Sequence, residues 1–161
     1  MSRTLVIGFG NMDRADDGVA HYVINALRRR LGQKPLNEDE TGLEELGAEV
    51  DSVFLSQLAP ELMEILADYP RVIFVDAHVY ENLDALHCVP ISPEHTASTF
   101  THHLTPSALL ALLKALYHLE LSGHLVSIRG YDFDFHRDLS PETEALVGPA
   151  VEQIIRLIKD P

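Results

Sequence analysis

Hydrophobic positions along this chain switch between two periods. "TLVIGF" is an unbroken run rich in β-branched and apolar residues that closes on a glycine turn. "DGVAHYVINALRRRL" then sets Val19, Tyr22, Val23, Ala26 and Leu27 at helical spacing, so the N-terminal segment predicts strand, turn, helix. "EVDSVFL" predicts a second strand and "APELMEILADYP" a helix with Pro60 near its start. "RVIFVDA" has the continuous apolar character of a strand buried on both faces. "DALHCVPI" and "HLVSIRG" supply a fourth and a fifth strand. "TPSALLALLKALYHL" predicts a helix with Thr105 as N-cap and Pro106 at its first position; "SPETEALVGPAVEQIIRLIKD" repeats that start signal with Ser140 and Pro141. Residues 32 to 48, "GQKPLNEDETGLEELGA", predict an acidic, flexible surface connection with one short helical turn, and "SPEHTASTFTHH" a polar loop.

Strands and helices in alternation with short connections predict an α/β fold: a three-layer α/β/α sandwich around a small, mostly parallel five-stranded sheet. A length of 161 residues fits one domain, 1–161, with no internal repeat. Open sheets of this kind bind ligands at the carboxyl ends of their strands. Three segments fall there: residues 10 to 17, Asp76 to His78, and the loop ending in "THH".

Charge narrows the partners. Lys and Arg number 12 against 25 Asp and Glu, a formal charge of -13, which repels nucleic acid and anionic membranes and favours cations and basic peptides. The longest apolar runs are too short to cross a bilayer, and "MSRTLVIGFG" lacks the regions of a signal peptide, so a cytoplasmic protein is expected. The single cysteine, Cys88, excludes an internal disulfide or a cysteine-built zinc site and reads as a small buried hydrophobe. Nine histidines among so many carboxylates suit a transition metal.

The glycine turn itself argues against a nucleotide. "GFGNMD" supplies two glycines of the dinucleotide fingerprint, but Asp13 stands at the third, and Asp13, Asp16 and Asp17 surround a helix N-terminus with negative charge where a pyrophosphate would sit. Asp16 or Asp17 could instead cap the helix that starts near Gly18. Asp76 ends a central strand, where a carboxylate must be solvated, hydrogen-bonded or bound to a cation. His78 could share its side of the chain, and of His102 and His103 only one is expected to enter the crevice. Two carboxylates and one imidazole converging from separate loops would make a metal site with room for substrate. There is no G-x-S-x-G elbow and no H-E-x-x-H helix, and Cys88 has no neighbouring base.

In "VIGFGNMDRADDGVAHYV", "SQLAPELMEILADYPRVIFVDA" and "THHLTPSALLALL", taken in order, the chain resembles the hydrogenase maturation proteases. These enzymes remove a C-terminal extension from the large subunit of nickel–iron hydrogenases. The resemblance implies an α/β/α sandwich and puts the family's three metal-contacting residues on Asp17, Asp76 and His102, with His103 as the neighbouring candidate. It further implies nickel carried by the precursor and a large-subunit precursor as partner; separately, a monomer that associates with its precursor transiently is expected. Asp13 and Arg14 make the glycine loop more charged than the family pattern, Ala20 stands at a frequent glycine, and "GYDFDF" lacks the usual G-x-x-P. The rival readings are a noncatalytic nickel-binding or scaffold protein, a Rossmann-type nucleotide module and a generic metallopeptidase.

Overall fold

The computed structural model describes residues 3–93 and 104–160, so His95, His102 and His103 lie outside the described residues. Five strands, β1 (Thr4–Phe9), β2 (Val50–Leu55), β3 (Arg71–His78), β4 (Leu86–Ile91) and β5 (Ser122–Arg129), form one sheet in the order β2-β1-β3-β5-β4. All neighbours are parallel except β4, which runs antiparallel to β5 along one edge. Pro90 sits in that edge strand, the position in a sheet that tolerates a residue without an N–H.

Both faces of the central strands are apolar, and each face is covered. Val6, Ile73, Val75, Val126 and Ile128 pack under α1 (Val19–Arg30) and α4 (Pro141–Lys159). Leu5, Ile7, Val72 and Phe74 pack under α2 (Leu62–Leu66) and α3 (Pro106–Tyr117). Successive residues of one strand therefore feed opposite layers, giving the expected α/β/α sandwich. Thr105 and Ser140 cap α3 and α4 by accepting from Ala108 N at 3.1 Å and Thr143 N at 3.3 Å. At the other end of α4, the buried Arg71 of β3 donates to the carbonyls of Leu157 and Ile158, placing a cation against the negative end of that helix.

Two expectations change. The second helix is shorter than "APELMEILADYP", because the N–H groups of Leu62 and Met63 at its start and of Asp68 and Tyr69 beyond its end bond three residues back and close tight turns. Residues 32 to 48 contain no helical turn and are pinned: Asn25 exchanges two hydrogen bonds with Leu36, while Arg28 donates to Lys34 O and Ser52 O. No helix among the described residues is long and apolar enough to cross a membrane.

The strand order places the crevice. From β1 the chain winds outward through α1 to β2, whereas β3 lies on the opposite side of β1, so winding reverses between β1 and β3. Connections leave that point in opposite directions and open a cleft above the carboxyl ends of the two strands. The turn after β1 and the last residues of β3 face each other across it.

Candidate functional site

Above β1 the glycine turn folds back on itself. Gly10 has φ +153, and a Cβ there would lie 2.1 Å from the carbonyl oxygen of Asp17. Only glycine allows that approach. A 3-10 turn, Ala15–Gly18, precedes α1. A Cβ on Gly18 would lie 2.8 Å from the Cα of Met12, so this turn packs tightly onto the glycine loop. Ala15 adopts left-handed backbone, φ 48, with its N–H bonded to His136 O at 2.7 Å. A non-glycine residue held there marks local strain at the crevice.

Neither neighbouring aspartate caps α1: its N-cap is Gly18, which has no side-chain bond. Asp17 Oδ2 accepts from Asn11 N at 2.9 Å, so a carboxylate fills the mouth of the loop where a pyrophosphate would otherwise bind. Asp16 is fully buried and points away from the cleft. Its carboxylate accepts from Tyr131 N at 2.7 Å, Asp132 N at 2.9 Å, Ser140 N at 2.8 Å and Ser140 Oγ at 2.7 Å. Burial pushes its pKa up, but the bonds from Tyr131, Ser140 and Asp132 outweigh that and leave it below the ordinary value. Asp16 is thus the bolt that fixes the loop after β5 against the glycine turn. The adjacent pair of aspartates carried no mark that would separate bolt from site residue.

Asp76 lies opposite. It pairs in register with Ser127 of β5, whose side chain hydrogen-bonds to it, yet its Oδ1 is buried without a partner among the described residues. Burial is the main reason its pKa is pushed up to about 6; the Ser127 bond lowers it and the charge of Asp17 raises it further. Asp17 and Asp76 line one cavity of about 260 Å³ together with Gly10, Ser56, Ala77 and Leu104. Leu104 directly follows His102 and His103 in the chain. Gly10, Asp17 and Ser56 also line a larger cleft of about 660 Å³, walled by Asp13, Glu38, Asp39 and Glu40 and by the side chains of Arg14 and Arg137.

His78 leaves the site. Its Nδ1 accepts from Tyr80 N at 3.2 Å and its Nε2 lies 3.1 Å from Asp84 O, so the ring is a neutral buried brace, with burial lowering its pKa. His78 follows Asp76 by two residues, as strand alternation required, but the backbone it supports is the exit from β3. Ser127 and Ser56 were not picked out from the sequence. Ser127 was detectable as one polar residue inside the apolar run "LVSI" near a strand's carboxyl end.

Chemically the cavity offers two carboxylates of unequal character. One is hydrogen-bonded at the turn; the other is desolvated and has an oxygen without a donor. An unpaired buried carboxylate oxygen is costly unless a proton or a cation meets it. Among the described residues no group of three His, Cys, Asp or Glu side chains forms a metal site. A cation here would therefore need further ligands beyond these two carboxylates.

No protein-family model matches the chain. Its sequence is 25% identical over 164 residues to the hydrogenase 2 maturation protease of Escherichia coli (strain K12), covering 98% of this chain and 92% of that protein. The solved hydrogenase maturating endopeptidase HybD from E. coli superposes with a TM-score of 0.72 at 21% identity, covering 98% of this chain and 93% of the other. The [NiFe] hydrogenase maturation protease HybD from Thermococcus kodakarensis superposes with a TM-score of 0.61 at 20% identity, covering 97% and 99%. At these identities the structural likeness establishes the fold. Over nearly its whole length the chain is similar, in sequence and in fold, to the hydrogenase maturation proteases.

Proposed function

We propose that the chain is a hydrogenase maturation endopeptidase, which removes the C-terminal extension of a nickel–iron hydrogenase large-subunit precursor after nickel insertion. The observation that carries this reading is the convergence of Asp17 and Asp76 at the winding reversal, with Asp76 Oδ1 buried and unpartnered. Full-length similarity to a hydrogenase 2 maturation protease selects this reaction over other uses of a carboxylate pair.

Nickel enters this reading as part of the substrate, already held by the precursor. Asp17 and Asp76 contact it from the two sides of the cleft, and His102, which precedes α3 in the chain, supplies the third contact. A cation beside Asp76 favours its ionised form, relieving the cost that burial imposes on the empty protein. The same contacts orient the tail across the cleft, and positioning of this kind can supply much of the acceleration of a hydrolysis. Cleavage then depends on nickel because the precursor without it lacks the group these carboxylates bind. The protein acts as a monomer in the cytoplasm, meeting its precursor transiently.

Intact-mass analysis of a large-subunit precursor from the same organism, nickel-loaded or nickel-free, tests the proposal. Wild type should release the tail from the loaded form only. Asp17→Ala, Asp76→Ala and His102→Ala should each slow release at least 100-fold. Retention of the tail on verified nickel-loaded precursor, with nickel-dependent binding preserved, would favour the noncatalytic nickel-binding alternative.

A further inference from the structure

Large apolar side chains stand exposed in two segments beyond the carboxyl ends of β3 and β5, the end of the sheet at which the cleft opens. Phe135 is 85% exposed and Tyr131 48%, both in the loop after β5; Val79 and Tyr80, directly after β3, are each 60% exposed. The two segments are joined where Gly130 N donates to His78 O at 2.8 Å. Neither is loosely held. Asp16 accepts from the backbone of Tyr131 and Asp132, and Ala15 N bonds His136 O. Tyr80 stacks on the buried His78 ring, with centroids 6.2 Å apart, and donates its N–H to Nδ1 of that ring. The Arg14 guanidinium lies 5.6 Å from the centre of the Phe135 ring and its Nε donates to Phe133 O at 3.2 Å. Exposed aromatic side chains on an anchored backbone lose little freedom on binding, and such residues dominate protein interfaces.

The charge beside this rim is negative in sum. Arg14 also borders the 660 Å³ cleft, where Asp13, Asp17, Glu38, Asp39 and Glu40 outnumber Arg14 and Arg137. Arg137 already bridges Asp13 and Glu38. The acid wall is continuous with the Asp17–Asp76 cavity through Gly10, Asp17 and Ser56, and Arg14 links that wall to Phe135.

We propose that the rim formed by Tyr80, Tyr131 and Phe135, with the acidic cleft beside it, is the docking surface for the precursor's polypeptide. The stretch it fits carries an apolar side chain for the rim and a neighbouring Lys or Arg for the acid wall. This inference rests on the endopeptidase reading for the identity of the partner. It assigns recognition of the chain to a surface separate from recognition of the metal, so binding should survive without nickel.

The test measures affinity of the full-length protein for nickel-free large-subunit precursor, alongside cleavage of the nickel-loaded form. Tyr131→Ser/Phe135→Ser should weaken binding at least tenfold and raise KM for cleavage similarly, with kcat within twofold and an unchanged melting temperature. Leu116→Ser, which alters a residue 62% exposed on α3, should bind within twofold of wild type. Raising salt from about 50 to 300 mM should weaken wild-type binding as well. If wild type cuts the loaded precursor while the rim variant binds normally, docking at this rim is overturned and the endopeptidase reading stands. If binding depends on the rim but loaded precursor stays uncut, docking stands and that reading falls. Greater loss from Leu116→Ser than from the rim variant, or no binding and no cleavage by wild type, overturns the docking proposal.

Discussion

Asp16 is fully buried and Asp76 half-buried with its Oδ1 sealed from solvent, and their surroundings push the two carboxylates in opposite directions. Asp76 holds its proton more tightly in the folded chain, at about 6, than at the unperturbed value of 3.8. The folded state therefore binds more protons than the unfolded one between those pH values, and stability falls as pH rises through the window. Two units correspond to about 3 kcal/mol at most. Asp76→Asn, which removes the charge and keeps the shape, should raise the melting temperature by about 2 to 8 °C at pH 8 while abolishing cleavage. At pH 4 the gain should vanish; an equal gain at both pH values would show that burial of charge is not its source. Asp16 has the reverse sign. Its pKa is lowered because hydrogen bonds from Tyr131, Ser140 and Asp132 outweigh burial, so its contribution is present above the unfolded value and lost as pH falls through the folded one. Asp16→Asn leaves donors facing a neutral amide and should cost about 2 to 4 kcal/mol in urea unfolding at pH 7. That cost should persist down to pH 5 and shrink only below the unperturbed 3.8.

At the scale of elements, α4 contains two residues poorly suited to a helix interior, Gly148 and Pro149, both exposed. A Cβ on Gly148 would meet nothing within 4 Å. Gly148→Ala should therefore stabilise the protein by about 0.5 to 1 kcal/mol, with no effect on cleavage. Pro149→Ala restores a backbone donor and should add up to about 3 kcal/mol, read as a higher urea midpoint at unchanged slope. The helix survives these residues because Ala150, Val151, Ile154, Ile155 and Ile158 bury one face against the sheet. That periodic face is also why α4 was legible in the sequence with its Ser140–Pro141 start. The strands were legible for a related reason: buried on both faces, they read as unbroken apolar runs. The second helix was overextended because its turns and its single helical segment share one apolar spacing, and only backbone bonding separates them. In residues 32 to 48 the polar composition gave no sign of Asn25 and Arg28, whose side chains hold the segment from the helix just before it.

Across the whole molecule, the cleft could be located from strand order and the carboxylate facing it from Asp76 at the end of "RVIFVDA". The division of labour between Asp16 and Asp17 could not, because it depends on a loop more than a hundred residues away in sequence, the one carrying Tyr131 and Ser140. Nor could His78 be recognised as a brace, since its partners Tyr80 and Asp84 are turn backbone. Net charge acts at this same scale and touches stability and recognition with opposite sign. A chain at -13 repels itself in the folded state, and salt screens that repulsion over a Debye length of about 10 Å at 0.1 M. Glu38, Asp39 and Glu40 are gathered on one wall where Arg137 pairs with Glu38 alone of the three, so their repulsion is concentrated beside the cleft. The same wall attracts a basic segment, and that attraction is screened too. Raising NaCl from about 20 to 300 mM should therefore increase the melting temperature by a few degrees while lowering kcat/KM for nickel-loaded precursor severalfold, through slower association. Replacing Glu38, Asp39 and Glu40 by their amides should reproduce both effects at low salt and flatten the salt dependence of each. A salt response of cleavage that is unchanged in the amide variant would place the electrostatic recognition elsewhere on the surface.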